Sequence, residues 1–236
     1  MARPLSETRL ADITEAGGRC LSRVGYRRTK MADVAAEAGV STGSVYTYLE
    51  GKEALFHAVL AHRLGVPPGA DLPVRAPAFE ETLAMLADGL RREGATPVLR
   101  GAVDAPAPPD VRSELAAIVD EQYGVVSRLW PALSVVEACA ADLPPLEEFY
   151  FGRRRRRHID LLVRYLHARA SEGRLLALPD LTVAAQLVHE AVAWFAWKRF
   201  EGRDAAHFDD ELARRTVVEY ACNAIAGPRA ASGSPR

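Results

Sequence analysis

From Leu10 onward, apolar residues return at steps of three and four and nowhere sustain the two-residue alternation of a strand. That period confines the chain to an all-α fold. Leu10, Ile13, Gly17, Cys20, Leu21 and Val24 form one stripe, which predicts a first helix over about 6–23 ending at Gly25-Tyr26. Gly17 and Gly18 inside it each cost roughly 1 kcal/mol relative to alanine, so tertiary contacts must hold this helix. A second helix is expected over about 31–38, with Met31, Val34, Ala35 and Ala38 on one face and Gly39 as its C-terminal cap. Ser41 reads as the N-cap of a short third helix, and a fourth starts near Lys52. The stretch GVPPGADLPVRAP, residues 65–77, has no helical period and reads as a hinge. Helices are expected beyond it at about 78–94, 110–128, 132–142, 146–172, 180–201 and 208–226, punctuated by Pro131, Pro144-Pro145 and Pro179. The tail 227–236 should fray.

With 236 residues, 49% of them hydrophobic and 26% charged, the chain can bury a sizeable core. A net charge of -1 excludes a uniformly basic, coat-like nucleic-acid binder. The charge is uneven, however: residues 1–63 carry nine Lys/Arg against seven Asp/Glu, which leaves the remainder acidic. Cys20, Cys139 and Cys222 are far apart and lack a C-x-x-C pair, so they read as small buried hydrophobes in a reducing compartment. The most apolar long stretch, residues 181–197, is broken by Gln186, His189 and Glu190, and reads as a buried helix rather than a membrane span. No apolar segment of the secretory type follows the N-terminus, and a cytoplasmic protein is expected.

Two short helices joined through Gly39 make a helix-turn-helix, in which one helix braces while the other enters a major groove just wide enough to admit it. Val34, Ala35, Val40, Val45 and Leu49 are spaced to hold the pair together. The opposite face of the third helix offers Ser41, Thr42, Ser44, Tyr46, Thr47 and Tyr48, with Gly43 allowing close approach. Their hydroxyls suit base edges and phosphates. The N-termini of the second and third helices present free N–H groups that favour phosphate; Thr29 and Lys30 lie at the first of these ends, and Lys52 lies at the start of the fourth helix. Residues 9–60, with a helix ending in GY, then TKMADVAAEAGVSTGSVYTYL, then GKEALF, resemble the DNA-binding domain of the tetracycline-repressor (TetR) family. The resemblance implies a homodimeric regulator, a repressor in most of the family. Residues 1–64 would bind a palindromic double-stranded operator, 65–77 would be a hinge, and 78–226 would bind an apolar small-molecule inducer and dimerise. It places Thr42, Gly43, Ser44 and Thr47 near bases, and Thr29, Tyr46, Tyr48 and Lys52 near phosphates.

Tyr123, Trp130, Phe149, Tyr150, Phe151 and Tyr165 fall on the central helices, where the resemblance implies an inducer cavity; each is also an ordinary core residue by type. Leu187, Val188, Val192 and Phe195, with Val217, Val218, Tyr220 and Ile225, make a broad apolar face on the last two helices, which the resemblance turns into a four-helix dimer interface. The run Arg153–Arg157 wraps around its helix and reads as a solvated, partly paired face, with Asp160 spaced to meet Arg156 and Arg164. His189-Glu190 begins an H-E-x-x-H pattern that ends in Ala193, so no metal is expected. No cofactor is implied, and no nucleophile-elbow, dinucleotide or phosphate-loop motif supports an enzyme. An all-helical enzyme, or a DNA-binding protein whose second half only dimerises, are the alternatives.

Overall fold

The computed structural model describes residues 7–67, 71–200 and 208–227. They form eleven α-helices: α1 Glu7–Arg28, α2 Met31–Glu37, α3 Thr42–Tyr48, α4 Lys52–Arg63, α5 Phe79–Glu93, α6 Pro97–Asp104, α7 Val111–Ala140, α8 Pro144–Glu147, α9 Arg156–Ser171, α10 Leu181–Ala196 and α11 Asp210–Ile225. A π-helical segment, Glu148–Arg155, joins α8 to α9, and a 3₁₀ turn, Lys198–Phe200, follows α10. The fold is all-α. The tail expected to fray lies almost entirely outside the described residues.

Contacts group the chain into two compact units, residues 1–93 with 131–154, and 94–130 with 155–236. In the first, α1 packs on α2 and α4, α2 on α3, and α4 on α5. The glycines inside α1 explain themselves there. A Cβ on Gly17 would strike the Leu55 side chain, and one on Gly18 would come 2.9 Å from the Arg63 guanidinium. The two helices approach at glycine because nothing larger fits, and burial of Ile13, Ala16, Leu21, Leu55, Val59 and Leu60 offsets the propensity cost. Gly25 takes φ 79 and kinks the helix, which regains a last turn to Arg28 beyond the expected end.

The second unit is built around Leu115, Ile118, Val119, Leu162, Leu166, Val188, Val192 and Val217, all buried. Here α9 packs on α6 and α10, and α10 on α11. Helix α6 is absent from the sequence-based expectation. Its N-cap, Thr96, makes no capping bond with its side chain; the Val98 and Leu99 N–H groups donate instead to the Glu121 carboxylate on α7, at 2.9 and 3.2 Å. A cap supplied from 22 residues away leaves no local mark. Pro131, expected to separate two helices, lies inside the continuous α7. An interior proline costs about 3 kcal/mol, and burial of Leu129, Ala132, Leu133, Val135 and Val136 around it supplies the compensation. Asp180 and Asp209 cap α10 and α11, accepting from Val183 N–H at 2.9 Å and Leu212 N–H at 2.8 Å.

Arg169 is fully buried: it donates to both Glu114 carboxylate oxygens and to the Ala102 and Ala105 carbonyls. This ion pair ties the end of α6 to α7 and α9. The arginine run divides among several roles. Arg153 pairs loosely with Glu148, Arg154 donates to the Leu90 carbonyl, Arg155 turns to His189 and Glu190, and Arg156 and Arg157 are exposed. Arg164 meets Asp104 at 3.2 Å rather than Asp160, because α6 brings a carboxylate to it.

Candidate nucleic-acid interface

The turn between α2 and α3 is fixed by two backbone bonds. Val40 N–H donates to the Ala35 carbonyl at 2.9 Å and Gly39 N–H to Ala36 at 3.2 Å, with Gly39 at φ 66. This is the Schellman arrangement, which needs a left-handed residue at Gly39. Ser41 then caps α3: its hydroxyl accepts from Ser44 N–H at 3.1 Å and shares a 2.8 Å bond with the Ser44 hydroxyl. Val34, Ala35, Val45 and Leu49 are buried and lock the two helices, while Val40 is half-buried. The far end of α3 is also tied down: Val74 N–H donates to the Tyr48 carbonyl at 2.8 Å and Glu50 N–H to the Val74 carbonyl at 3.1 Å.

The hydroxyl side of α3 faces outward. Ser41, Thr42, Gly43, Tyr46 and Thr47 are exposed, Ser44 is half-buried, and Lys30 is exposed at the start of α2. Thr47 returns its hydroxyl proton to the Gly43 carbonyl at 3.0 Å, which leaves its oxygen free to accept and its methyl free to pack. Gly43 has helical neighbours and ample space: a Cβ would meet only the Ser41 hydroxyl, at 3.9 Å. Nothing inside the protein demands glycine at this position.

Three of the expected contact residues turn inward instead. Thr29 is 1% exposed and gives its hydroxyl proton to the Gly25 carbonyl at 2.7 Å. Lys52 donates to the Arg27 and Thr29 carbonyls, both at 3.1 Å, and lies over the Tyr26 ring at 4.7 Å. It caps the end of α1, where the kink at Gly25 leaves carbonyls in need of donors. Tyr48 is buried and braces α3 from behind. The Tyr26 hydroxyl donates to Glu53, and burial with that carboxylate pushes its pKa up. Arg27 and Arg28, exposed beside Lys30, were passed over in the sequence, although RRTK marks them as a basic strip at the start of α2.

The six expected ligand residues divide between the two units. Tyr123, Trp130 and Tyr165 belong to the second unit, and Phe149, Tyr150 and Phe151 to the first. Tyr123 and Tyr165 are core residues whose hydroxyls are engaged, with Asp210 and the Phe195 carbonyl and with Glu114 respectively. Burial first and the carboxylates second raise both pKa values, Tyr123 to about 12. Trp130 stacks on Phe200, and Tyr150 meets Phe151 edge to face. Of the eight residues expected at a dimer interface, Val188, Val192, Val217 and Ile225 are buried within their own unit. Phe195 and Val218 are half-buried. Leu187 and Tyr220 stand 66% and 71% exposed. The exposed stripe runs through Val183, Leu187 and Trp194 on α10 and Leu212, Thr216 and Tyr220 on α11, neighbours at helical spacing, of which Leu187 and Tyr220 are among the expected interface residues.

All three cysteines are buried, and burial raises the Cys139 thiol to about 12. Among the described residues no helix is long and apolar enough to cross a membrane.

No curated protein sequence matches this chain. Among solved structures, the ketosteroid transcriptional regulator KstR2 of Mycobacterium tuberculosis is 17% identical, with 96% of this chain and 99% of that one covered and a TM-score of 0.54. A TetR-like transcriptional regulator from Rhodococcus sp. RHA1 is 19% identical, covering 94% and 97%, with a TM-score of 0.49. AibR in complex with isovaleryl coenzyme A and operator DNA is 20% identical, covering 90% and 97%, with a TM-score of 0.48. The first likeness shows a shared fold. Residues 13–59, which hold the helix-turn-helix, match the model for bacterial regulatory proteins of the tetR family. The N-terminal domain of this chain belongs to that family.

Proposed function

We propose that the chain is a dimeric, ligand-responsive transcriptional repressor whose helix α3 reads the major groove of a palindromic operator. The observation that carries this reading is the outer face of α3. It is made of small hydroxyls around a glycine that no internal contact requires, held by caps and a buried inner face. Glycine there lets a foreign backbone approach, and the N-terminus of α3 offers N–H groups to phosphate. Ser41, Thr42, Gly43, Ser44, Tyr46, Thr47 and Lys30 form the contact set, with Arg27 and Arg28 as added phosphate ligands.

Dimerisation is assigned to the exposed side of α10 and α11, where Leu187, Trp194, Leu212 and Tyr220 present large apolar side chains to solvent. A dimer of the chain would carry two copies of α3, one for each half-site of a palindromic operator. The domain division that goes with this function is an N-terminal reader over residues 1–64 and a helical ligand and dimer domain over 78–226.

The test is binding of the full chain to duplex DNA from upstream of its own gene, by fluorescence anisotropy over a salt series. Saturable binding with a protected two-fold repeat is expected. No binding at low ionic strength would overturn the reading.

A further inference from the structure

We propose that the first unit carries a small-molecule site of its own, a cavity beside α1 and α4 that takes a compact neutral molecule with an apolar body and one hydroxyl. Its occupant rests on Val74, the residue that holds the end of α3. The site stands independently of the DNA-binding reading above and adds to it a ligand input at the reading helix.

Three stretches of chain build the cavity, which has a volume of about 260 Å³. Leu10 and Ala11 come from α1, Ala58 and Ala61 from α4, and Val66 and Val74 from the connection between α4 and α5. Helices α1 and α4 touch closely at Gly17, where a Cβ would strike Leu55. The wall of the cavity includes three alanines, and side chains that short leave space unfilled. An apolar cavity of about 150 Å³ holds a benzene ring. The larger one here has room for a ring with a short alkyl chain.

The polar members of the wall select the rest of the molecule. They are Thr14, His57 and His62. His62 is committed to Glu15 at 2.9 Å, while Thr14, 3% exposed, adds a neutral hydroxyl. His57 sets its Nδ1 3.0 Å from the Thr82 hydroxyl, a group that can donate or accept. That leaves Nε2, which makes no hydrogen bond among the described residues. Burial holds the His57 pKa below its ordinary value and favours the neutral ring. A carboxylate ligand would set an unpaired charge against this neutral wall, and Glu81, whose charge is felt at His57, would repel it. A hydroxyl matches Nε2 in either tautomer, because it both donates and accepts; a carbonyl suits only one.

Val74 gives the site its consequence. It lines the cavity, and its backbone is bonded twice to the end of α3. Its N–H donates to the Tyr48 carbonyl at 2.8 Å, and its carbonyl accepts from Glu50 N–H at 3.1 Å. An occupant packed against Val74 favours this bonded arrangement over an open one and so steadies α3.

Methyl NMR of the full chain, titrated with para-propylphenol, propylbenzene and para-propylbenzoate, tests the site. The phenol should shift the Leu10, Val66 and Val74 methyls. It should bind about fivefold more tightly than either analogue, the worth of one neutral hydrogen bond. Ala11→Leu lengthens a half-buried wall residue at a position where leucine suits a helix. It should weaken phenol binding about tenfold or more by filling the cavity, with an unchanged circular dichroism spectrum. His57→Asn keeps a partner for Thr82 but has no Nε2, and should lose the preference for the phenol over propylbenzene. Hydrogen exchange of the Glu50 and Val74 amides should slow about threefold or more when the phenol is bound. No methyl shift, shifts confined to the second unit, or phenol binding undiminished in Ala11→Leu overturns the site. A preference that survives in His57→Asn overturns the hydroxyl grip, and unchanged exchange overturns the link to α3. None of these measurements uses DNA, so their failure leaves the operator reading standing, and failure of operator binding leaves the site standing.

Discussion

Gly43 and Gly39 sit four residues apart and respond to alanine in opposite directions. At Gly43 the backbone is helical and a Cβ has room, so Gly43→Ala should raise stability by up to about 1 kcal/mol while weakening DNA binding tenfold or more. Urea melts and anisotropy titrations on the same preparation check both halves. At Gly39 the left-handed φ makes Gly39→Ala destabilising by about 1 kcal/mol even though the space is open. Lys52 teaches a different lesson. Its position at a helix start reads as a phosphate ligand, yet its ammonium is held by the Arg27 and Thr29 carbonyls. Lys52→Ala should therefore lower stability by roughly 1 kcal/mol and leave the salt slope of DNA binding unchanged; a slope reduced by about one unit would restore the phosphate role. The Ser41 cap was legible because donor and acceptor lie three residues apart. The inward turn of Thr29 and Lys52 was not, because their partners exist only once α1 kinks at Gly25.

At the scale of elements, α10 and α11 are apolar on more than one side, and sequence periodicity alone could not say which side meets its own core. The structure assigns Val188, Val192, Val217 and Ile225 to the core and leaves Leu187, Trp194, Leu212 and Tyr220 outside. Leu187→Glu combined with Tyr220→Glu should shift the proposed dimer toward monomer in light scattering, with an unchanged circular dichroism spectrum, because neither side chain supports the interior. A variant that stays dimeric would exclude this stripe as the interface. Helix α6 carries a second expectation. Removing its distant cap by Glu121→Ala strands two N–H groups and should cost about 1 kcal/mol, seen first as faster hydrogen exchange near Val98 and Leu99.

For the molecule as a whole, half-buried histidines link stability to acid. His189 holds a pKa of about 4 when folded against 6.5 otherwise, so between those values the unfolded chain binds the extra proton. Stability should therefore fall as pH drops from about 6.5 toward 4, and urea midpoints at pH 7.5, 6 and 5 should fall less in His189→Gln. His57, also lowered by burial, adds to the slope in the same direction.

Helical period, caps and glycine placement were enough to define an all-α chain, its helix-turn-helix and the outward hydroxyls of α3, because each depends on residues within one or two turns of each other. Tertiary structure alone decided which apolar face of α10 and α11 is buried, that α7 continues through Pro131, that Glu121 caps α6, and that Thr29 and Lys52 face inward. For the α10 and α11 faces, the α6 cap and Lys52 the deciding partner lies far along the chain, and for Thr29 it is a nearby carbonyl exposed only by the kink at Gly25; in these cases free energy from burial or a hydrogen bond made in the folded chain outweighs local preference.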